Sequence, residues 1–189
     1  MNDTTPLLVP ERLSGLVAPD GRPAAEHFQR WFGGSQVVDA QGAPLVVFHG
    51  TGLDIERFRE GPAFFTSDPE MASGYARRAG DGGNVMPVYL ALKNPKRMDF
   101  LPPHVPSYYE RRRRALYSQG YDGIVTSDGV CVAFWPGQIK SALGNSGLFR
   151  GDSNLVNDLE PCQLAPTRLV SPPVQAQSPA SAPRRARPR

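Results

Sequence analysis

Proline and glycine interrupt this chain along its whole length and limit how long any helix or strand can be. The 189 residues include 20 Pro and 19 Gly, about a fifth of the total. Proline lacks a backbone N–H and glycine readily adopts turn conformations, so both tend to end regular elements. With 40% hydrophobic residues the chain still has enough apolar material for a core. The composition therefore predicts a loop-rich domain, a disordered appendage, or both.

The elements predicted between these breaks are short. Apolar spacing predicts a helix at Ala24–Phe32, a second helix capped by Ser67 or Asp68 and running to Arg78, and a third at Tyr108–Gln119. Apolar and β-branched runs predict a small strand entering a turn at residues 37–42, and strands at 44–49, 63–67, 85–92, 123–126, 130–135 and 138–142. The predicted fold class is α+β with mostly antiparallel strands. Neither strict βα alternation nor a GxGxxG or GxxxxGK[ST] loop occurs, which disfavours Rossmann and P-loop nucleotide enzymes.

The positive charge lies in one segment of the chain. Residues 161–189 contain five arginines and no acidic residue, whereas the other 160 residues contain 16 basic and 18 acidic side chains. The net charge of +3 and the pI of about 9.1 therefore combine a body of −2 with a tail of +5. From Pro161 onward no apolar period survives, which predicts a disordered tail. The predicted organisation is an irregular lead-in at residues 1–23, a domain at 24–160 and this tail.

Neither a metal site nor a membrane span is predicted. The three histidines lie far apart, and the two cysteines have no metal-ligand spacing. Cys131 sits among apolar residues and is predicted to be a buried thiol. No apolar run reaches the roughly 18–20 residues of a transmembrane helix, and no basic segment followed by an apolar core indicates a signal peptide. The expected location is the cytoplasm, or outside it after export by a signal-independent route.

His49, Gly50 and Thr51 end the strongest predicted strand, a position where binding sites are often built. Histidine can hydrogen-bond a ligand hydroxyl, and glycine lets a ligand reach backbone N–H and C=O groups. Phe64 on the next strand and Tyr75 on the helix after it could flank a flat ring. The alternative for each is structural: a strand-to-loop turn for the triplet, and core packing for the two aromatic residues.

In order and spacing, these residues resemble an ADP-ribosyltransferase fold of the poly-ADP-ribose-polymerase-like, diphtheria-toxin-like type. Within that group the chain is most similar to the bacterial and phage domains of polyvalent and head-associated proteins. The resemblance covers about residues 25–152, and its order is more specific than any single piece. The segments that carry it are residues 28–33, 35–39, 42–51, 63–68, 72–76, 88–90, 93–95, 120–124, 136–142 and 145–147.

The resemblance implies an enzyme that cleaves the nicotinamide–ribose bond of NAD and transfers ADP-ribose to a macromolecular acceptor, as bacterial or phage effectors and toxins do. NAD is the implied co-substrate, no metal is implied, and a protein acceptor is favoured over a nucleic acid. His49 would hydrogen-bond the nicotinamide ribose, and the backbone of Gly50, next to Thr51, would hold the carboxamide. Phe64, where the family usually has tyrosine, and Tyr75 would stack on nicotinamide.

Two further positions complete the implied site. Ser73 lies near the position whose hydroxyl binds the carboxamide. Gln138 takes the position of the usual glutamate and, with His49, would be catalytic by holding the ribose hydroxyls, although its neutral amide cannot stabilise positive charge at the anomeric carbon. Pro136 stands where arginine-specific members carry Gln or Glu, which argues against arginine as acceptor. The alternatives are a weak or inactive module that binds NAD or a partner, an NAD glycohydrolase and, ranked last, an RNA 2′-phosphotransferase relative.

Overall fold

Three α-helices and seven β-strands form the part of the chain that the computed structural model describes, residues 8–79, 82–102 and 106–159. The helices are α1 (Ala24–Phe32), α2 (Pro69–Arg78) and α3 (Pro106–Tyr117). The strands are β1 (Val47–Thr51), β2 (Ala63–Thr66), β3 (Asn84–Leu90), β4 (Pro95–Met98), β5 (Gly123–Thr126), β6 (Val130–Ala133) and β7 (Ile139–Ser141). Short 3-10 segments at Glu11–Leu13 and Pro136–Gln138 precede α1 and β7. The predicted α+β class is confirmed.

Some sequence predictions concern residues outside the described ranges. The predicted disordered tail at 161–189, Cys162 and His104 belong to this group, as does the start of the predicted lead-in. The predicted domain limits at residues 24 and 160 stay predictions. Within the described part of the lead-in, Leu13 is fully buried against the aromatic residues of α1.

One seven-stranded sheet runs in the order β4-β5-β6-β2-β1-β3-β7. All neighbouring strands are antiparallel except β4 and β5, so the predicted arrangement is confirmed. β1 pairs with β3 over five residues and β2 with β6 over four, whereas β1 and β2 share one pair, Phe48 with Thr66. The sheet therefore consists of two halves that meet at a single residue pair.

Local sequence explains where α1 and α2 form. In α1, Phe28 and Trp31 recur at helical spacing and are buried together, as the apolar pattern predicts. Asp68 caps α2, because its carboxylate accepts a hydrogen bond from the N–H of Glu70 at 2.9 Å. Pro69 occupies the first turn, where a backbone N–H has no helical partner to lose. The helix that follows β2 is thereby fixed at its start.

Two regions differ from the sequence prediction. Residues 37–42 form the predicted turn, in which the carboxylate of Asp39 accepts hydrogen bonds from the N–H groups of Gln41 and Ala43, but the strand predicted before it is reduced to an isolated bridge between Val38 and Pro44. Conversely, Pro95 begins β4, which the sequence does not predict. Proline is tolerated there because β4 lies at the edge of the sheet, where a missing N–H breaks no ladder.

The sheet buries two groups that are unusual in a core. Cys131 on β6 is a free, buried thiol, as predicted, and burial raises its pKa to about 12. Lys140 on β7 is fully buried, and its Nζ lies 2.7 Å from Oδ1 of Asp158 and 2.8 Å from the carbonyl oxygen of Leu155. Burial lowers the pKa of Lys140, and the hydrogen bond to Asp158 opposes that shift. This ion pair holds the segment after β7 against the sheet.

Candidate active site

β1 and β2 separate beyond the pair of Phe48 with Thr66. Pro87 lies opposite Phe48 on the other side of β1; it has no N–H, and its carbonyl accepts a hydrogen bond from Ala142. The backbone groups of Phe48 are therefore directed towards β2. Because that direction alternates along a strand, the backbone groups of Gly50 point the same way. Gly50 thus presents an N–H donor and a C=O acceptor to the space between β1 and β2, which we call the β1–β2 gap.

The side chain of His49 bridges this gap. Its Nδ1 lies 2.8 Å from the carbonyl oxygen of Phe64, and since a carbonyl only accepts, Nδ1 carries the proton. The ring packs against Phe58 and Phe65, with centroids 5.2 and 5.4 Å away. Burial lowers the pKa of His49, and the hydrogen bond to Phe64 opposes this more weakly. His49 is therefore neutral at pH 7, and its Nε2 is an acceptor.

Helix α2 crosses directly over Gly50. A Cβ at this position would overlap the carbonyl oxygen of Ala72 and lie 2.9 Å from the nitrogen of Ala76. The glycine is thus required for close packing of the helix on the strand, in addition to exposing its backbone at the edge. The Thr51 hydroxyl serves the local fold, because it accepts a hydrogen bond from the N–H of Leu53 at 3.1 Å in the turn after β1.

Phe64 and His49 point to opposite faces of the sheet. Residues directly opposite each other in an antiparallel pair share a face, so the register places His49 with Phe65 and Gly50 with Phe64. The Phe64 ring meets that of Tyr109 in α3 edge-on, with 5.0 Å between the ring centroids. The aromatic part of the candidate site therefore lies on the face that α2 and α3 cover, with Gly50.

The two predicted site residues on α2, Ser73 and Tyr75, are accessible. Tyr75 is 56% exposed, and the guanidinium carbon of Arg78 lies 5.3 Å from the centre of its ring. The hydroxyl of Ser73 accepts a hydrogen bond from Nη1 of Arg77 at 3.2 Å. The O–H of Ser73 is thus still available as a donor to a ligand.

Tyr109 is the site residue that sequence reasoning missed. It is 3% exposed, contacts the ring of Phe64 and interacts electrostatically with Tyr75. Its hydroxyl donates a hydrogen bond to the carbonyl of Pro102, and burial raises its pKa. The available signal was an aromatic pair at the start of the predicted third helix, but that pattern does not reveal which strand the helix covers.

Gln138 does not lie with the other predicted site residues. Its backbone carbonyl accepts a hydrogen bond from Ala91, whereas His49 lies opposite Met86 on β3. Five residues of extended chain separate these positions by about 17 Å at 3.3–3.4 Å per residue. This placement differs from the sequence prediction, in which His49 and Gln138 contact the same ribose.

The amide of Gln138 is used within the fold. Its Oε1 accepts hydrogen bonds from the N–H groups of Phe134 and Trp135 at 3.0 and 2.8 Å, and its Nε2 donates to the carbonyl of Asp122 at 2.8 Å. These three bonds join the end of β6 to the residue before β5. The geometry therefore gives Gln138 a structural role.

The described residues contain neither a candidate metal site nor a membrane-spanning helix. Within residues 8–79, 82–102 and 106–159, no three or more His, Cys, Asp or Glu side chains are grouped so that they could hold a metal ion. His27 pairs with Asp20, with Nε2 3.0 Å from Oδ2. Nor does any helix in the described ranges combine the length and apolar character needed to cross a membrane.

Comparison with known proteins bears on the first half of the domain. No curated protein and no solved structure matches the chain. A family model described as ADP-Ribosyltransferase in polyvalent proteins matches residues 39–113. This segment extends from before β1 into α3 and includes His49, Gly50 and Phe64, whereas Gln138 lies outside it. The match supports an ADP-ribosyltransferase-like function and agrees with the resemblance seen in the sequence. The match therefore supports an ADP-ribosyltransferase fold like that found in polyvalent proteins for residues 39–113.

Proposed function

We propose that the protein is an NAD-dependent ADP-ribosyltransferase that modifies a macromolecule. The observation that carries the proposal is the pair of backbone groups that Gly50 directs into the β1–β2 gap, next to a neutral His49. The family match to the same segment supports it independently. NAD would supply the ADP-ribosyl group. When its nicotinamide–ribose bond breaks, nicotinamide leaves as a neutral molecule.

The β1–β2 gap can bind a carboxamide because Gly50 and a carboxamide each offer one hydrogen-bond donor group and one acceptor. A primary amide offers one carbonyl oxygen and one NH₂ group, and Gly50 offers the complementary N–H and C=O on one strand edge. Phe64 lies on the face that Gly50 shares, and Tyr75 is exposed on the adjacent helix. Aromatic rings at these positions would hold the flat nicotinamide ring by stacking.

His49 would accept a hydrogen bond from a ribose hydroxyl through Nε2. The hydrogen bond from Nδ1 to Phe64 fixes both the tautomer and the ring orientation, so this acceptor would be in place before substrate binds. A fixed acceptor costs little reorganisation when the glycosidic bond breaks. A nucleophilic group of the acceptor macromolecule would bond to the anomeric carbon as the nicotinamide–ribose bond breaks. That group would release its proton as the new bond forms.

The direct test measures nicotinamide release and transfer of labelled ADP-ribose from NAD to proteins of a cell lysate. Tyr75→Ala is expected to weaken NAD binding about fivefold or more, because aromatic stacking on a base contributes about 1–3 kcal/mol by alanine substitution. Phe100→Ala is the matched control, since Phe100 is also an exposed aromatic residue, 65% against 56%. Equal effects of the two substitutions, or no binding of NAD by the unmodified protein, would refute the proposed site.

A second candidate is an NAD-binding module that turns over slowly or not at all. It is favoured by the amide of Gln138, which is bonded to three backbone groups and brings no negative charge to the β1–β2 gap. Charge stabilisation is commonly the largest catalytic contribution. Saturable NAD binding without nicotinamide release would support this candidate, and release of free ADP-ribose without labelled macromolecules would instead identify a glycohydrolase.

A further inference from the structure

A second candidate site lies apart from the β1–β2 gap. It is an open cleft of about 740 Å³, within the range of small-molecule sites. Its wall includes the end of α1, the residues after β3, the 3-10 segment before β7 and residues 148–152. We call it the basic cleft, and its charged and indole residues are Asp20, Arg22, Arg30, Trp31, Lys93, Trp135, Arg150 and Asp152. His49, Phe64 and Tyr75 are not among its lining residues.

The basic cleft concentrates positive charge on a body that is not basic. Four cationic side chains line it against two acidic ones, whereas the chain without residues 161–189 carries a net charge of −2. Arg30 and Lys93 are exposed, and neither forms an ion pair with a carboxylate in the described part of the chain. Two cations that no protein carboxylate neutralises thus border one concave surface.

Asp20, one of the two acidic residues that line the cleft, is already hydrogen-bonded within the protein. Asp20 bonds to the ring of His27, and its Oδ1 also accepts a hydrogen bond from the backbone N–H of Arg22 at 3.1 Å. The hydrogen bond from Arg22 is the main cause that lowers the pKa of Asp20. Both carboxylate oxygens of Asp20 therefore already have hydrogen-bond partners within the protein.

The indole of Trp135 gives the cleft an aromatic wall. Trp135 is half-buried, and the guanidinium of Arg113 lies 4.8 Å from the centre of its ring. Trp31, in contrast, is 7% exposed and its Nε1 donates to the carbonyl of Gly137 at 2.9 Å, so it forms the floor. The side-chain amide of Gln138 also lines the cleft, but its hydrogen bonds are made to backbone groups of the protein.

We propose that the basic cleft binds a nucleoside phosphate, with the base against Trp135 and the phosphate at Arg30 and Lys93. Clustered cations favour phosphate through charge-assisted hydrogen bonds, and an adjacent aromatic ring favours a base over an acidic peptide. The same chemistry is present in a free mononucleotide and in a single-stranded oligonucleotide. The site is separate from the β1–β2 gap and does not depend on NAD turnover.

The test titrates the full-length protein with AMP, adenosine, inorganic phosphate and a fluorescein-labelled ten-nucleotide single-stranded DNA. Arg30→Gln/Lys93→Gln is expected to weaken AMP binding at least about tenfold, because a hydrogen bond to a charged group contributes that much. Arg97→Gln/Arg111→Gln is the matched control, since it removes the same charge from exposed arginines that do not line the cleft. Thermal unfolding of both variants verifies that they are folded.

The outcomes separate the proposal from its alternatives. Tight binding of AMP alone identifies a mononucleotide site, and binding of the DNA at least tenfold tighter than AMP identifies a strand-binding site; either supports the cleft if the control double variant binds as the parent does. Equal losses in both double variants show general charge attraction and overturn the proposal, as does the absence of AMP and DNA binding. Nicotinamide release, measured in parallel, reports on the β1–β2 gap alone and is expected to be unchanged in Arg30→Gln/Lys93→Gln.

Discussion

A buried histidine acts as an acceptor only while its ring is neutral, and the surroundings of His49 favour that state. Its ring lies between Phe58 and Phe65, and its Nδ1–H is already donated to Phe64. Desolvation therefore lowers the pKa of His49 from its ordinary value of 6.5. Burial thus keeps the ring neutral, and the hydrogen bond to Phe64 determines which nitrogen is presented to a ligand.

The binding of NAD is expected to weaken towards acidic pH, with the midpoint of this change below pH 6.5. Protonation converts Nε2 from an acceptor into a donor, and the lowered pKa of His49 moves this change below 6.5. Calorimetric titration at several pH values measures it, and His49→Gln should remove the pH dependence. A midpoint at or above pH 6.5 would contradict the assignment.

The linked effect on stability has the same direction. Because the folded-state pKa of His49 is lower than its unfolded value, the unfolded chain takes up a proton first as the pH falls through 6.5. The contribution of His49 to the free energy of unfolding is therefore highest above this pH and decreases towards acid. Urea denaturation of the parent and of His49→Gln isolates that contribution.

Gln138→Glu is expected to lower the free energy of unfolding by about 1–3 kcal/mol, because a carboxylate cannot donate to the carbonyl of Asp122. The acceptors for Phe134 and Trp135 are kept. The difference from the parent should shrink at acidic pH, where a protonated Glu donates again. Urea denaturation measures the loss. A rise in nicotinamide release in this variant would instead restore Gln138 to the catalytic site.

At the level of elements, the unit that builds the candidate site is β1, β2 and α2, which are close in sequence. Local patterns predict the strands and the capped helix that carry His49, Gly50, Phe64 and Tyr75, and the resemblance to ADP-ribosyltransferases is what joins these residues into one expected site. The limits of α1 follow from apolar spacing in the same way. Gln138 lies far along the chain, and its offset from His49 depends on the register of β7 on β3, which no local pattern determines.

Gly50→Ala is expected to destabilise the protein by about 1–3 kcal/mol or more, because the new Cβ would overlap the backbone of α2 at Ala72. Gly74→Ala is the matched control on the same helix, where a Cβ meets no atom within 4 Å. It should stabilise the protein by about 0.5–1 kcal/mol through helix propensity. Thermal unfolding of both variants measures the contrast, and a similar shift in both would show that α2 does not pack as described.

For the whole molecule, the C-terminal part of the described chain depends on a buried ion pair. Lys140 and Asp158 both have fully buried side chains, and Asp158 also accepts a hydrogen bond from Asn145 Nδ2 at 3.2 Å. Sequence reasoning recognised the segment around Lys140 only as a strand, because no local pattern indicates that a lysine is buried. The pair therefore emerges from tertiary structure alone.

Lys140→Met is expected to lower the free energy of unfolding by about 3–5 kcal/mol, because the buried carboxylate of Asp158 loses its nearer cation and keeps the more distant Arg150, whose Nε lies 3.9 Å away. Adding Asp158→Asn removes that charge while keeping a residue that tolerates the positive φ of 49° found there. The double variant should therefore be more stable than the single one. Denaturant titration of both measures this, and a double variant that is the less stable of the two would argue against an uncompensated charge as the cause.

Because only the pair of Phe48 with Thr66 joins the two half-sheets, their separation affects amide exchange and responds to a bound ligand. Few hydrogen bonds oppose their separation, so amides on the facing edges of β1 and β2 should exchange with solvent faster than those between β1 and β3. A ligand bound between Gly50 and Phe64 would supply hydrogen bonds that β1 and β2 do not make with each other. Its binding free energy would stabilise the pairing of the two half-sheets. Slower hydrogen exchange of the Gly50 amide would report that the ligand is bound.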